Sequence, residues 1–486
     1  MYLKELLSGI NCKVHGDKNI DIKNLQYDSR NVQSGDLFFC ISGTAADGHA
    51  YAPDAVKNGA VAIVVTKLVD NVHVTQVVVK DDRAAMALCA ANFYGHPAKR
   101  LKMVGVTGTN GKTTTTYMVK SIAEAAGYKV GLIGTIKNMI GQREMHTERT
   151  TPESADLQRL LREMADEKCD IVVMEVSSHS LLLKRVYGIE FDVGVFSNLT
   201  QDHLDFHQTW ENYVESKSKL FQQSRISVVN VDDDSAANMI SAASREVMEY
   251  SVLHPTGYMA KHVKNAPDGV DYDVKIDGKV LDIHVPIPGL FTVYNSLAAL
   301  VACHALKIDG VYIKQGLAAM QAVPGRFELL DVRGQGYSII LDYSHTPDSL
   351  ENALLTVKEF ARGKVITVFG CGGNRDAGKR PVMGRIAAKY SDYVVVTSDN
   401  PRFEEPDAII AQIEAGVAEG NVQYITIEDR KKAMAHAMKM AQQDDIILLA
   451  GKGHETYQEI RGVKHDFDEK VVVNEIMDEM GIKTKK

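Results

Sequence analysis

The stretch Val104–Thr116, VGVTGTNGKTTTT, constrains the fold more than any other part of the chain. An apolar run ends in a glycine turn, and the pattern predicts a helix starting near Lys112. Strand, loop and helix in that order leave the N–H groups of the turn and of the first helical residues pointing one way, as a cradle for phosphate oxygens. Gly108, Thr109, Asn110 and Gly111 would form the cradle, Lys112 would reach the outer phosphates, and a hydroxyl at Thr113 or Thr114 would hold Mg²⁺. The general pattern G-x-x-x-x-G-K-[ST] puts its first glycine at position 106, where this chain has Val106, with Gly105 and Gly108 on either side. The core, TGTNGKTT, is intact.

A loop of this kind belongs to a helix-wound sheet, and 486 residues leave room for further domains around it. With 45% hydrophobic and 24% charged residues the composition is that of a globular protein. A net charge of −8, from 55 basic and 63 acidic residues, argues against nucleic acid as a partner. No run approaches eighteen apolar residues, so no membrane span is expected. The start, MYLKELLSGINCKVHGD, lacks the apolar region and cleavage site of a signal peptide. Six scattered cysteines without a C-x-x-C read as free thiols in a reducing cytoplasm.

Three units are expected, over residues 1–98, 99–325 and 326–486. The first holds IDIKNLQYDSRNVQSGDLFFCI, with Asp28-Ser29-Arg30 at a polar break, and closes on the breaker cluster Tyr94-Gly95-His96-Pro97. The second carries the phosphate loop, then KVGLIGT, DIVVMEVSSHS, FDVGVFSNLTQDHLDFH and ISVVNVDDD. Each begins apolar and ends polar, which reads as a parallel sheet wound by helices with its ligand beyond the carboxyl ends of the strands. Glu175 closes one such strand and is placed to hold Mg²⁺. His203 lies in Asp202-His203-Leu204-Asp205-Phe206-His207, but with no cysteine nearby and no H-E-x-x-H a zinc site is not expected. In the helix that follows, pattern alone makes Lys217 and Lys219 solvated lysines.

The third unit repeats one plan four times, an apolar strand followed by a polar or glycine-rich turn. It reads as a second, Rossmann-like α/β domain whose turns Asp342–Asp348, Gly372–Arg380, Asp399–Arg402 and Gly451–Glu455 share one edge as a binding site. Cys371, in one of those turns, reads as a packed thiol.

TGTNGKTTT, MEVSSHSL, NLTQDHLDFH, ENYVESKSKLF, PGRFE, LDYSHTPDSL, GGNRDAGKRP, SDNPRFEEP and AGKGHE occur in this order, and together they resemble the Mur ligases. The resemblance runs from DSRNVQSGD almost to the end of the chain, and is to the branch that extends UDP-MurNAc-L-Ala-D-Glu. It implies a cytoplasmic, monomeric enzyme of peptidoglycan synthesis. The substrate's carboxylate is phosphorylated by ATP, and an amino acid's amine then displaces the phosphate. The resemblance places Lys112, Thr113 and Thr114 on ATP and Mg²⁺, with Glu175 and His203 as further magnesium contacts. Lys217 matches a lysine that the family carbamylates, which reverses the solvated reading of that residue. Asn295, Arg326 and Asp342 match nucleotide contacts; Ser29, Thr150, Thr151, Ser178 and Arg185 match contacts to the UDP-sugar peptide.

Asp399-Asn400-Pro401-Arg402 resembles the form that adds meso-diaminopimelate, with Arg380, Gly451 and Glu455 as the other contacts. Diaminopimelate is lysine with one extra carboxylate, which an arginine grips with charge-assisted hydrogen bonds of about 1.5–3 kcal/mol each. A site built on such a pair rejects the analogue lacking it by on the order of 10⁴-fold. Three readings remain as alternatives: a lysine-adding ligase of the same step, a folylpolyglutamate synthetase-like ligase, and a non-enzymatic phosphate-loop switch. Dependence of ATP turnover on both an acid and an amine separates the ligases from the switch.

Overall fold

The computed structural model describes residues 1–43 and 46–482. Three main sheets follow one another along the chain.

The first has five strands. Its members Asn24–Gln26, Asp36–Phe39, Ala62–Val65 and Thr75–Val79 run parallel, and Cys12–His15 closes one side antiparallel. The helix Asp82–Phe93 packs on this sheet and leads through Gly95 and His96 into the central unit.

The central sheet has nine strands. Lys102–Thr107, which runs into the phosphate loop, lies between Ile171–Glu175 and Phe191–Phe196. These strands are buried along almost their whole length, which is why they read as unbroken apolar runs. Helices cover both faces. Lys112–Ala125, Leu290–Ala305 and Gly310–Ala318 pack on one side, Ser154–Asp166 and Trp210–Gln222 on the other. The sheet departs from the all-parallel expectation at one end, where Asn138–Ile140 and Arg143–Met145 form an antiparallel hairpin against Val130–Ile133. Only the two residues Gly141 and Gln142 separate those strands, too few for the crossover a parallel pair requires. A separate antiparallel sheet, Lys261–Ala266, Gly269–Ile276 and Lys279–Val285, has no counterpart in the sequence reading; its outward positions are charged, and its apolar face packs on Leu290–Ala305.

The third sheet has six strands, with Ser338–Asp342, Ile446–Ala450, Val365–Phe369, Tyr393–Val396 and Gln423–Thr426 parallel and Glu328–Leu330 antiparallel at one end. Helices again cover both faces. The carboxyl ends of its parallel strands therefore share one edge. Among the described residues no helix is long and apolar enough to cross a membrane.

Candidate active site

The phosphate loop joins the end of strand Lys102–Thr107 to the helix Lys112–Ala125. Two of its glycines are required by geometry. Gly108 has φ +150° and Gly111 φ +85°, and a Cβ at these positions would lie 1.9 Å from Ser197 Oγ and 2.2 Å from Asn295 Oδ1. No side chain caps the helix start, so its N–H groups stay available to an anion. The loop is anchored from the neighbouring strand end: Asn110 N donates to Asn198 Oδ1 at 2.9 Å, and Thr109 Oγ1 donates to the Thr200 carbonyl at 3.2 Å.

Cations gather here, and among the described residues no carboxylate forms a salt bridge with Lys112, Lys217 or Arg326. Lys112 Nζ donates to the Gly108 and Thr109 carbonyls at 2.9 and 2.8 Å. Lys217, 1% exposed, donates to the same Gly108 carbonyl at 2.7 Å, and its Nζ lies 4.8 Å from the centre of the Tyr213 ring. Burial, and then the charge of Lys112, holds its ammonium well below the usual lysine range. Lys219, by contrast, is partly exposed beside Glu215. Arg326 Nη2 donates to Thr113 Oγ1 at 3.2 Å, its guanidinium lies over Tyr343, and its buried Nε has no partner among the described residues.

Glu175 is fully buried at its strand end and accepts from Thr113 Oγ1 at 3.1 Å, Thr135 N at 2.8 Å and Thr135 Oγ1 at 3.0 Å. His203, on the loop after the strand Phe191–Phe196, has φ +56°, and its ring lies 4.8 Å from that of His179. His207 is buried against Ser178 Oγ at 2.9 Å, and burial pushes its imidazole down to about 4. The residues fit a nucleotide with a magnesium ion. The orphaned Arg326 Nε and the Lys112 amine suit phosphate oxygens, and the hydroxyl and carboxylate of Thr113 and Glu175 suit a hard cation.

Thr150, Thr151, Ser178 and Arg185 lie together beside Glu175. Thr151 Oγ1 donates to the Glu175 carbonyl at 2.9 Å, Arg185 Nη1 donates to the Thr151 carbonyl at 3.0 Å, and Thr150 Oγ1 pairs with Thr135 Oγ1 at 3.0 Å. Ser29 stands in the first unit, in a short turn capped by Asp28, and accepts from Asn58 Nδ2 at its carbonyl. No hydrogen bond among the described residues joins it to the Thr150–Arg185 group. The two units meet nearby, where Tyr27 Oη donates to Asp156.

Thr114, Asn295, Arg326 and Asp342 share a cavity of about 310 Å³ between the central sheet and the turn Asp342–Asp348. Asn110 Nδ2 crosses it to Asp348 Oδ2 at 2.7 Å. Burial raises the Asp342 carboxyl, which accepts from Phe327 N at 2.7 Å. Gly451 N donates to the Asp342 carbonyl and links this turn to the rest of the edge.

There Arg402 has φ +53°; its Nη1 donates to the Gly373 carbonyl at 2.8 Å and its Nε lies 3.3 Å from Glu459. The Pro401 carbonyl accepts from Glu404 N. Arg380, 1% exposed, commits Nη1 and Nη2 to Glu404, Gln412 and the Gly372 carbonyl, while its buried Nε has no partner among the described residues. Asn400 bridges Glu455 at 2.8 Å and Lys452 at 3.3 Å, and Lys452 reaches Glu455 at 3.2 Å and Asp399 at 3.9 Å. Lys452, Thr135, Glu153 (2.9 Å from Arg185) and His207 contact these candidate residues, and the sequence reading assigns none of them a role. Lys452 carried a signal, its place inside AGKGHE; the others take their roles from contacts far along the chain.

Family models match along the chain: Mur ligase family, catalytic domain, over residues 21–103; Mur ligase middle domain over 106–303; and Mur ligase, glutamate ligase domain, over 325–453. The curated UDP-N-acetylmuramoyl-L-alanyl-D-glutamate–2,6-diaminopimelate ligase of Clostridium tetani is 46% identical over 486 residues, covering 99% of this chain and all of the relative. The chain belongs to the Mur ligase family. It is an enzyme of the ligase class. A solved structure of a UDP-N-acetylmuramoyl-L-alanyl-D-glutamate–2,6-diaminopimelate ligase superimposes with a TM-score of 0.70 at 29% identity, covering 99% of both chains. A MurF ligase from Thermotoga maritima in complex with ADP matches 95% of this Mur ligase and 99% of its own length, with a TM-score of 0.63 at 20% identity, a likeness of fold alone.

Proposed function

We propose that this Mur ligase joins meso-2,6-diaminopimelate to UDP-MurNAc-L-Ala-D-Glu at the expense of ATP, as a cytoplasmic monomer. The observation that carries the reading is the cavity between two sheet edges, lined by Asn110, Gly111 and Thr114 of the phosphate loop and by Arg326 and Asp342, with Gly451 N tying the Asp342 carbonyl to the edge that carries Arg402 and Glu455.

The chemistry requires both edges. A carboxylate resists attack by an amine, so one of its oxygens first bonds to the γ-phosphorus of ATP and ADP departs. Lys112, the loop N–H groups and Arg326 would hold the phosphates and disperse the charge that builds up during transfer. Thr113 and Glu175, with His203 nearby, would hold a magnesium ion, which supplies further neutralisation of the phosphate oxygens. Lys217 would act as its carbamate: the neutral amine adds to the carbon of CO₂ and one N–H proton leaves to solvent. The depressed basicity of this buried amine favours that addition. The diaminopimelate amine then attacks the acyl carbon, phosphate departs with the former carboxylate oxygen, and the nitrogen loses a proton. Thr150, Thr151, Ser178, Arg185 and Ser29 would bind the UDP-sugar peptide.

For the amino acid, Arg402 has Nη1 and Nε tethered within the chain, leaving Nη2 for the distal carboxylate. Asp399 and Glu455, now facing Lys452, would take the ammonium. Phosphate release from ATP and UDP-MurNAc-L-Ala-D-Glu tests the reading. It should require an amine, and meso-diaminopimelate should surpass L-lysine by on the order of 10⁴-fold in kcat/KM. Equal use of both amines would return the lysine-adding alternative.

A further inference from the structure

A second cavity, of about 750 Å³, opens at the opposite end of the central sheet. Lys102, Asp170, Asp192 and Arg225 on its wall stand at or beside the amino-terminal starts of four adjacent parallel strands. The phosphate loop leaves the carboxyl end of one of them, six residues or about 20 Å away. The cavity is therefore separate from the catalytic edge.

Its floor is apolar, formed by Ala91, Leu101, Cys169 and Ile189, all buried. Gln158, 3% exposed, lines the cavity from the helix Ser154–Asp166, and its buried Oε1 has no hydrogen-bond partner among the described residues. A buried amide oxygen left unpaired costs stability unless a donor meets it. The acidic groups on the rim are committed: Asp170 accepts from Lys129 N, Asp192 accepts from Met103 N, and Glu190 pairs with Arg225 and Arg245. Lys99 and Lys102 are exposed on the same rim, and no carboxylate pairs with either among the described residues.

We propose that this cavity is a binding site for a small amphipathic anion whose N–H or O–H donates to Gln158 Oε1, whose apolar body lies on the Leu101–Ile189 floor, and whose carboxylate or phosphate reaches Lys99 and Lys102. Its walls come from both sides of the connection between the first and central units, since Ala91 lies in the last turn of the helix Asp82–Phe93 and His96–Leu101 forms the joint. Gln158 lies one turn from Glu153 and Ser154, at the end of the helix that packs beside Arg185. An occupant there would fix the angle at which the first unit meets the central one.

Ligand-observed NMR titration of the full chain tests the site, with indole-3-acetate as probe. Indole-3-acetamide lacks the anion and 1-methylindole-3-acetate lacks the donor. The expected result is saturable binding of indole-3-acetate, weaker by about fivefold for either control ligand. A similar loss is expected in Gln158→Leu and in the exposed double variant Lys99→Glu/Lys102→Glu, both retaining the thermal midpoint of the parent and its ATP affinity. No saturable binding, equal affinity of all three probes, or affinity unchanged in both variants would overturn the assignment.

Discussion

Lys217 and Lys112 donate to one carbonyl, that of Gly108, at 2.7 and 2.9 Å. Two lysine amines held on one oxygen, with no carboxylate in salt-bridge contact with either among the described residues, disfavour a full charge on both, and the charge of Lys112 helps to hold Lys217 well below the usual lysine range. Satisfying both requires an anion on Lys112 and a change of charge at Lys217.

Substituting Lys217 separates its catalytic from its structural part. Lys217→Ala should lose on the order of 10²–10³-fold in turnover, the range for removal of one transition-state electrostatic contact, and short carboxylates such as acetate should restore part of it. Lys217→Met should be as inactive yet melt no lower than the parent, because burying this amine already costs desolvation that an apolar side chain of similar length avoids. Initial rates and calorimetry check both; full activity of the alanine variant would return the residue to a packing role.

Arg402→Ala should lose about 10²-fold or more in kcat/KM for diaminopimelate, the worth of two charge-assisted hydrogen bonds at the lower end of their range, with ATP affinity unchanged. Steady-state kinetics with diaminopimelate varied, beside ATP titration of the resting protein, provides the check.

Arg430 and Glu469 form an ion pair at 2.8 Å with neither side chain exposed. Arg430 also donates to the Ser398 and Ala450 carbonyls, directly before Asp399 and Gly451. Glu469→Gln should cost about 3–5 kcal/mol in chemical denaturation by leaving a buried guanidinium uncompensated. The double variant Arg430→Met/Glu469→Leu should recover stability while keeping a raised KM for the amino acid, since both turns lose their shared donor.

His207 is one of five buried or half-buried histidines, with His179, His203, His345 and His454, that make stability depend on pH. Its folded value of about 4 lies below the ordinary 6.5, with burial the main cause and Lys217 the next. Between these values the unfolded chain binds more protons, so stability is full above pH 6.5 and falls as the pH drops toward 4, by roughly 3 kcal/mol for this group. His207→Gln should flatten that part of the profile, measured by urea denaturation from pH 4 to 7. An unchanged slope would show that His207 does not titrate as a buried neutral imidazole.

The phosphate loop, the buried parallel strands and the four polar turns of the last sheet were legible because each is a local pattern of apolar run and turn. Lys217 was not legible by pattern, since a lysine amid polar helix residues looks solvated until Gly108 and Tyr213 close over it; only the resemblance to Mur ligases pointed inward. The antiparallel strands after residue 260 escaped notice because their exposed faces dilute the apolar signal. Arg380 with Glu404, Lys452 with Asn400, and Arg430 with Glu469 are pairings across 24, 52 and 39 residues that spacing within one chain does not encode.

The central claim is that the phosphate-loop edge activates an acid for the amine presented at the other edge. Its most direct test uses UDP-MurNAc-L-Ala-D-Glu with ¹⁸O in the side-chain carboxylate, ATP and meso-diaminopimelate, followed by mass analysis of the released phosphate. The account predicts one ¹⁸O atom per phosphate, carried over when the carbon–oxygen bond breaks. Phosphate free of label, with amide product formed, would contradict it.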